Sequence, residues 1–88
     1  MDSAERKALK ARAHKLDPIV QIGAKGVTEE VIAEIDRALK AHELIKVRAG
    51  TMDRDQRDRA LVSIIEKTRA EQVQQVGKVF VLYRKSDE

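Results

Sequence analysis

Apolar residues along this chain recur at two different spacings, which predict where helices and strands lie. Over segments 3–16, 28–41 and 53–70 they recur every three or four residues, the period of an amphipathic helix. Short apolar runs of strand type occupy segments 19–22, 43–49 and 72–84, and the last run is divided near Gly77. The order helix, strand, helix, strand, helix, strand, strand predicts an α/β (α+β) domain whose helices pack on a four-stranded mixed sheet.

Residues at the segment ends support these boundaries. The apolar run at 19–22 is nearly continuous, which predicts a first strand that is central in the sheet or covered on both faces. Asp17-Pro18 ends the first helix, because the residue before a proline disfavours helical geometry. Short polar side chains accept the amides of a first helical turn, and the predicted N-caps are Ser3, Thr28 and either Asp53 or Asp55.

The apolar residues of each element define the predicted core. The second strand alternates, so Ile45, Val47 and Ala49 point one way while Leu44, Lys46 and Arg48 point the other. The predicted helical core positions are Leu9, Ala13 and Leu16, then Val31, Ile32, Ile35 and Leu39, then Leu61, Ile64, Ile65 and Thr68.

The composition indicates one small domain, residues 1–88. Hydrophobic residues make up 42% of the chain, which is ordinary for a folded core, and Phe80 and Tyr83 are its only aromatic residues. The chain has no cysteine, which excludes a disulfide, a thiolate metal site and a cysteine nucleophile. No apolar run approaches the length of a membrane span and no signal segment opens the chain, so we expect a cytoplasmic protein with no membrane partner and no cofactor.

The basic excess of the chain coincides with a glycine motif. Residues 1–27 carry six basic and three acidic side chains, whereas residues 28–88 carry twelve of each. The N-terminal segment ends in Gly23-Ala24-Lys25-Gly26, between the first strand and the second helix. Two glycines permit a tight turn and a close approach of another backbone, and Lys25 adds a cation. We therefore predict a phosphate-binding loop, in which backbone amides from Ala24 to Thr28 meet the phosphates.

Other interpretations of the motif stay open. A G-x-x-G turn is often only a tight connection between a strand and a helix. Glu29 and Glu30 count mildly against a phosphate site, since they would repel an anion if they pointed towards it. The alternating charges between Asp53 and Arg59 are typical of a salt-bridged, solvated helix face.

Further basic residues extend the candidate site if the fold brings them to the loop. They lie on the outer side of the first helix, on one face of the second strand and after the last strand, where a solvated surface is the alternative. The full set of candidate binding residues is Gly23, Ala24, Lys25, Gly26, Thr28, Lys7, Lys10, His14, Lys46, Arg48 and Arg84. A localised basic surface of this kind suits a polyanion.

Five pieces of sequence, specific as a set, occur in a recognisable order: 16–20, 22–29, 41–47, Asp53-Arg54, and 76–78 with 82–84. Together they resemble the YhbY family, the stand-alone bacterial form of the CRM domain (chloroplast RNA splicing and ribosome maturation). The resemblance spans nearly the whole chain. One departure is Arg69-Ala70, where many members have a glycine at the end of the third helix.

The resemblance implies an RNA-binding domain whose G-x-x-G loop is similar in role to that of KH domains. It implies a core similar to the C-terminal domain of bacterial translation initiation factor three. The implied partner is ribosomal RNA in precursor particles of the large (50S) subunit, and the implied role is in ribosome assembly. Because aromatic residues are scarce, we expect binding to be mostly electrostatic and steeply dependent on salt.

Three other classes of function stay open as alternatives. An enzyme is disfavoured, because the chain offers no catalytic triad, no metal cluster and no G-x-x-x-x-G-K-[ST] loop, and we expect no small-molecule substrate. A protein-interaction module, on the ribosome or another machine, would use the same basic surface for an acidic partner. A general nucleic-acid binder would accept DNA as readily as RNA.

Overall fold

Helices and strands follow one another in the predicted order. The computed structural model describes residues 1–86. Its elements are α1 (Ser3–Ala13), β1 (Val20–Gln21), α2 (Glu29–His42), β2 (Leu44–Arg48), α3 (Arg54–Thr68), β3 (Glu71–Val76) and β4 (Val79–Tyr83). The predicted α+β class is confirmed. Over these residues, no helix combines the length and the apolar character that crossing a bilayer requires.

The four strands form one mixed sheet in the order β1-β2-β4-β3. β1 runs parallel to β2, and the pairs β2–β4 and β3–β4 are antiparallel. Consequently the segments after β1 and β2 and the Gly77-Lys78 turn between β3 and β4 all lie at the same end of the sheet. We call this the loop end, since it carries the Gly23–Gly26 segment.

Helices cover both faces of the sheet. On one face, α2 and α3 pack on the inward-pointing residues of β2 and β4, including Val47 and Phe80. On the other face, α1 contributes Leu9 and Ala13 to a smaller cluster with Val81. The predicted alternation of β2 is confirmed, because its odd-numbered residues belong to the larger core and Leu44 to the smaller. Because α1 is short, it leaves part of this second face of the sheet uncovered.

β1 differs from its prediction in both length and position. It pairs with β2 alone and so lies at an edge of the sheet, not in the centre. Val20 and Ile22 are buried, whereas Ile19 is 49% exposed and Gln21 is exposed. The prediction of a central or doubly covered strand was therefore wrong. Ile19 is an isolated exposed apolar side chain, a common feature of protein surfaces, and it lengthened the apparent run.

The helix ends follow local capping chemistry. Thr28 and Asp53 cap α2 and α3 as predicted, and Asp53 forms a reciprocal capping box with Gln56. The cap of α1 is Asp2 instead of Ser3, because the Asp2 carboxylate accepts the Glu5 amide at 2.8 Å. A carboxylate also interacts favourably with the helix dipole at this position. α1 ends at Ala13, earlier than predicted, which leaves Leu16 38% exposed.

The end of α3 falls at the residue where the chain departs from the family pattern. The helix stops at Thr68, two residues before the predicted end, and Arg69 adopts a left-handed conformation with φ of 61°. Glycine adopts this conformation without steric cost, whereas a residue with a Cβ does so with strain. The helix therefore ends in the same manner that a glycine would produce, but at a cost in stability.

Candidate nucleic-acid interface

The Gly23–Gly26 segment is a tight, solvent-accessible turn. The Gly26 amide donates to the Gly23 carbonyl at 3.0 Å, and Gly26 has φ of 78°, in the region that favours glycine. Gly23, Ala24 and Lys25 are exposed. Within residues 1–86, no acceptor pairs with the amides of Ala24 and Lys25. Of the predicted amides from Ala24 to Thr28, that of Gly26 is used inside the turn, and those of Val27 and Thr28 are likewise without an acceptor in the described residues. Ala24 and Lys25 are the two exposed residues of this group, whereas Val27 and Thr28 are half-buried.

Open space surrounds Gly23. A Cβ added there would meet no heavy atom within 4 Å, and the φ of Gly23 is not in the left-handed region. The fold therefore gives no internal reason for glycine at this position. The missing side chain instead leaves room for the backbone of another molecule to approach the turn.

The turn forms one wall of a cleft of about 350 Å³, and α3 forms the opposite wall. We call it the loop cleft; its lining is residues 23–27, Thr51, Met52, Gln56, Arg59, Ala60 and Ser63. The four α3 residues are spaced three and four apart and share one side of the helix. Glu29 and Glu30 do not line the cleft, so an anion inside it would not contact their carboxylates directly.

Two hydrogen bonds position the segment between β2 and α3 at the base of the cleft. Arg57 Nη1 donates to the Met52 carbonyl at 2.9 Å, and Gln56 Oε1 accepts the Asp53 amide at 2.9 Å. These contacts tie the loop to the first turns of α3. The Met52 side of the cleft is therefore held to the same part of α3 where the helix is capped.

The α3 wall was missed by sequence reasoning, which treated the charges between Asp53 and Arg59 as a salt-bridged surface. The face is solvated as predicted, since residues 53–56, 58 and 59 are exposed, but its salt bridges are not formed. The ion pairs among residues 1–86 involve Met1 with Glu71 and Asp36 with Lys40 and Arg84, and none lies within α3. Asp55 and Arg59 stand four residues apart without forming an ion pair. Arg59 lines the cleft instead. The spacing of Gln56, Arg59 and Ser63 indicates that they share one side of α3. The sequence alone does not indicate that the Gly23–Gly26 turn lies opposite that side.

A second concave surface lies on the α1 face of the sheet, with a volume of about 670 Å³. We call it the α1 groove. It is lined by Lys10, Ala13, His14, Leu16, Asp17, Pro18, Lys46, Arg48, Gln74, Val76, Val79 and Val81. The fold thus brings together four of the predicted basic residues from two distant segments. They gather where α1 leaves the sheet uncovered.

Two of the predicted binding residues, Lys7 and Thr28, line neither concave surface. Lys7 is exposed on α1 but does not line the α1 groove. Thr28 is half-buried, and its Oγ1 accepts the Val31 amide at 3.2 Å as the cap of α2. Neither residue therefore lines the loop cleft or the α1 groove.

Arg84 does not join the other basic residues, which corrects the expectation for it. It follows β4, whose last residue Tyr83 pairs with Leu44, so it lies at the end of the sheet opposite the loop end. Its Nη1 donates to Asp36 Oδ1 and to the Thr68 carbonyl, both at 2.7 Å, and its Nη2 donates to the Asp36 carbonyl at 3.2 Å. We call these contacts the Arg84 clamp; it ties β4 to α2 and α3.

Electrostatics at the clamp follow from these bonds. The hydrogen bond from Arg84, followed by that from Lys40, holds the pKa of the Asp36 carboxyl below its ordinary value. The two carboxylate oxygens of Asp36 pair with Lys40 and with Arg84, so Asp36 is ionised at neutral pH. The guanidinium of Arg84 is thereby committed to holding the fold.

The geometry defines a class: a small α+β domain with an exposed G-x-x-G turn and separate basic concave surfaces at one end of its sheet. The chain belongs to the CRS1 / YhbY (CRM) domain family, whose model matches residues 1–84. Family membership, inferred above from short motifs, is thereby confirmed.

Relatives in bacteria share most of the chain. A Haemophilus influenzae protein named "RNA-binding protein" is 43% identical over 88 residues, covering 100% of this chain and 89% of that protein. "Probable RNA-binding protein YqeI" of Bacillus subtilis is 34% identical, covering 96% of this chain and 88% of that protein. The solution structure of Staphylococcus aureus SAV1595 superposes with a TM-score of 0.85 at 38% identity, covering 100% of this chain and 92% of that one.

Proposed function

We propose that this domain binds RNA through the loop cleft and acts in assembly of the large ribosomal subunit. The observation that carries the proposal is an exposed G-x-x-G turn, with unpaired amides at Ala24 and Lys25, that faces Arg59 on α3 across the cleft. Relatives named as RNA-binding proteins support the choice of RNA. The assembly role rests on the family resemblance. Such a role implies a cytoplasmic protein, and it needs no catalytic step and no cofactor.

The chemistry of the cleft suits a phosphodiester backbone. The amides of Ala24 and Lys25 offer two donors, Lys25 adds a cation from the turn, and Arg59 adds a guanidinium from α3. Because Gly23 has no side chain, a sugar–phosphate chain can lie close to the turn. Loops of this type hold a few nucleotides of backbone and do not read base edges.

The test compares two charge reversals at opposite ends of the sheet. Lys25→Glu alters the loop cleft, and Lys85→Glu makes the same change in net charge at an exposed position near the Arg84 clamp. Fluorescence anisotropy with a structured fragment of large-subunit ribosomal RNA should show about tenfold weaker binding for Lys25→Glu, or about 1.4 kcal/mol. Lys85→Glu should bind as the unmodified protein does. Equal losses in both variants would contradict a specific loop site.

The partner is tested separately from the site. The protein should co-sediment with large-subunit precursor particles in cell extracts, and RNase treatment should release it. Co-sedimentation that survives RNase would instead indicate a protein-interaction module. At matched salt, structured RNA should outcompete duplex DNA of the same length; equal competition would indicate a general nucleic-acid binder.

A further inference from the structure

We infer that the α1 groove is a second RNA-binding site, which takes the single-stranded continuation of an RNA held at the loop cleft. The inference rests on the proposed RNA-binding function and extends it to the other face of the sheet. It assigns a role to Lys10, His14, Lys46 and Arg48 that the loop cleft does not require.

The α1 groove is lined mainly by basic residues among its charged side chains. Lys10 and His14 come from α1, and Lys46 and Arg48 from β2, so the groove has basic residues on both of its sides. Asp17 is the one acidic residue in the lining. Among residues 1–86, Lys10, Lys46 and Arg48 take part in no ion pair. Cations left without partners in a concave surface attract a polyanion.

The apolar part of the groove favours a single strand over a duplex. Val76, which is 57% exposed, and the half-buried Val79 line it with the basic residues, together with Val81, which the α1 cluster already buries. A duplex presents its phosphates outwards and keeps its bases stacked inside, so it would leave Val76 and Val79 without a partner. Unstacked bases can cover them, and the His14 ring and the planar Arg48 guanidinium are side chains on which bases stack.

The α1 groove and the loop cleft lie near each other at the loop end of the sheet. Arg48 lines the α1 groove, and its Nε lies 3.3 Å from where a Cβ on Gly50 would stand. Lys78 Nζ donates to the Gly50 carbonyl at 3.2 Å, which adds a cation at the same edge. Thr51, the next residue, lines the loop cleft. Arg48 and Thr51 are three residues apart, so their Cα atoms are separated by at most about 11 Å. One strand can therefore cross the loop end from one site to the other.

The experiment varies RNA length against matched substitutions on α1 and β2. Lys10→Glu combined with Lys46→Glu alters the groove. Lys7→Glu combined with Lys85→Glu makes the same net charge change at exposed positions outside it. The probes are unstructured oligouridines, a short one of about four nucleotides that fills the loop cleft alone and one about three times as long. Circular dichroism verifies that each variant is folded.

We expect the groove variant to bind the long RNA about tenfold more weakly and the short RNA unchanged. The control should bind both normally, and Lys25→Glu should weaken both. Equal losses on both lengths, or normal binding of the long RNA, would overturn the inference. If Lys25→Glu weakens binding while the groove variant does not, only the groove is rejected; if Lys25→Glu is silent, the proposed function itself fails.

Amide chemical shifts supply a second measurement that does not depend on tight binding. The long RNA should shift amides of residues 10–14 and 46–48 in addition to those of residues 23–26, and the short RNA only the latter. A duplex should leave the groove amides unshifted. Groove amides that shift with poly-glutamate but not with the long RNA would identify an acidic protein as the occupant and overturn the inference.

Discussion

Two glycines in one turn meet different physical requirements. Gly26 has a positive φ, so its backbone conformation explains why glycine stands there. Gly23 has neither a positive φ nor a neighbour that a Cβ would touch. In the proposed function, the open space at residue 23 admits the RNA backbone to the turn, and a glycine keeps that space free.

Alanine substitutions at the two glycines should separate these requirements. Gly23→Ala should leave the free energy of unfolding unchanged but weaken RNA binding several-fold, because its methyl group occupies the approach. Gly26→Ala should lower the free energy of unfolding by about 1 kcal/mol, since alanine is strained in the left-handed region. Urea unfolding and RNA titration of both variants check this. A Gly23→Ala protein with full affinity would show that no backbone approaches there.

Arg69 is a site where stability can be gained. Its left-handed conformation costs about 1 kcal/mol relative to glycine, so Arg69→Gly should raise the free energy of unfolding by about 0.5–1 kcal/mol. Thermal or urea unfolding measures the change. Arg69→Ala serves as the control, because it removes the same side chain and keeps the Cβ strain. Equal stabilities of the two variants would show that this strain is absent.

At the scale of elements, the Arg84 clamp joins three parts of the fold that local sequence patterns describe separately. Arg84 follows β4, Asp36 lies in α2 and Thr68 ends α3. Each element was predicted from its own periodicity. Their common contact was not, because its members lie 48 and 16 residues apart along the chain. Arg84, which was predicted to contact RNA, instead holds α2 and α3 to the end of β4.

The clamp should make stability depend on pH in the acid range. The folded-state pKa of Asp36 lies below its ordinary value of 3.8, so the clamp's contribution is present above that value and lost as pH falls through the lowered one. At neutral pH, Asp36→Asn should lower the free energy of unfolding by only about 1 kcal/mol, because the carboxylate is partly solvent-exposed. Urea unfolding across the acid range should show the two proteins converging as pH falls. A constant difference would contradict the ionic role of Asp36.

At the scale of the whole molecule, the sheet order brings together basic residues that are distant in sequence. The net charge of residues 1–27 predicted one basic region, but Lys46, Arg48, Arg59 and Lys78 come from the electrically balanced remainder. The parallel pairing of β1 with β2 places Gly23 and Gly50 at the same end. The antiparallel pairing of β4 brings Lys78 beside them.

The proposed RNA binding predicts a salt dependence that measures how many phosphates the surface contacts. The logarithm of the binding constant should fall linearly with the logarithm of the salt concentration, with a slope of about −0.7 per phosphate contact on single-stranded RNA. Lys25→Gln should reduce the steepness by about 0.7, and Lys46→Gln should do so for long RNA only. The exposed control Lys85→Gln should leave the slope unchanged. A slope insensitive to Lys25→Gln would show that this lysine contacts no phosphate.

The sequence by itself determined what depends on neighbours a few residues away. The order of elements, the caps at Thr28 and Asp53, the alternation of β2 and the Gly23–Gly26 turn all follow from local geometry and hydrogen bonding. Only the tertiary structure decided what depends on strand pairing. It set α3 opposite the turn, gathered Lys10 and His14 with Lys46 and Arg48, and drew Arg84 away to Asp36. Periodicity records which face of an element is buried; it contains no information on which element covers that face.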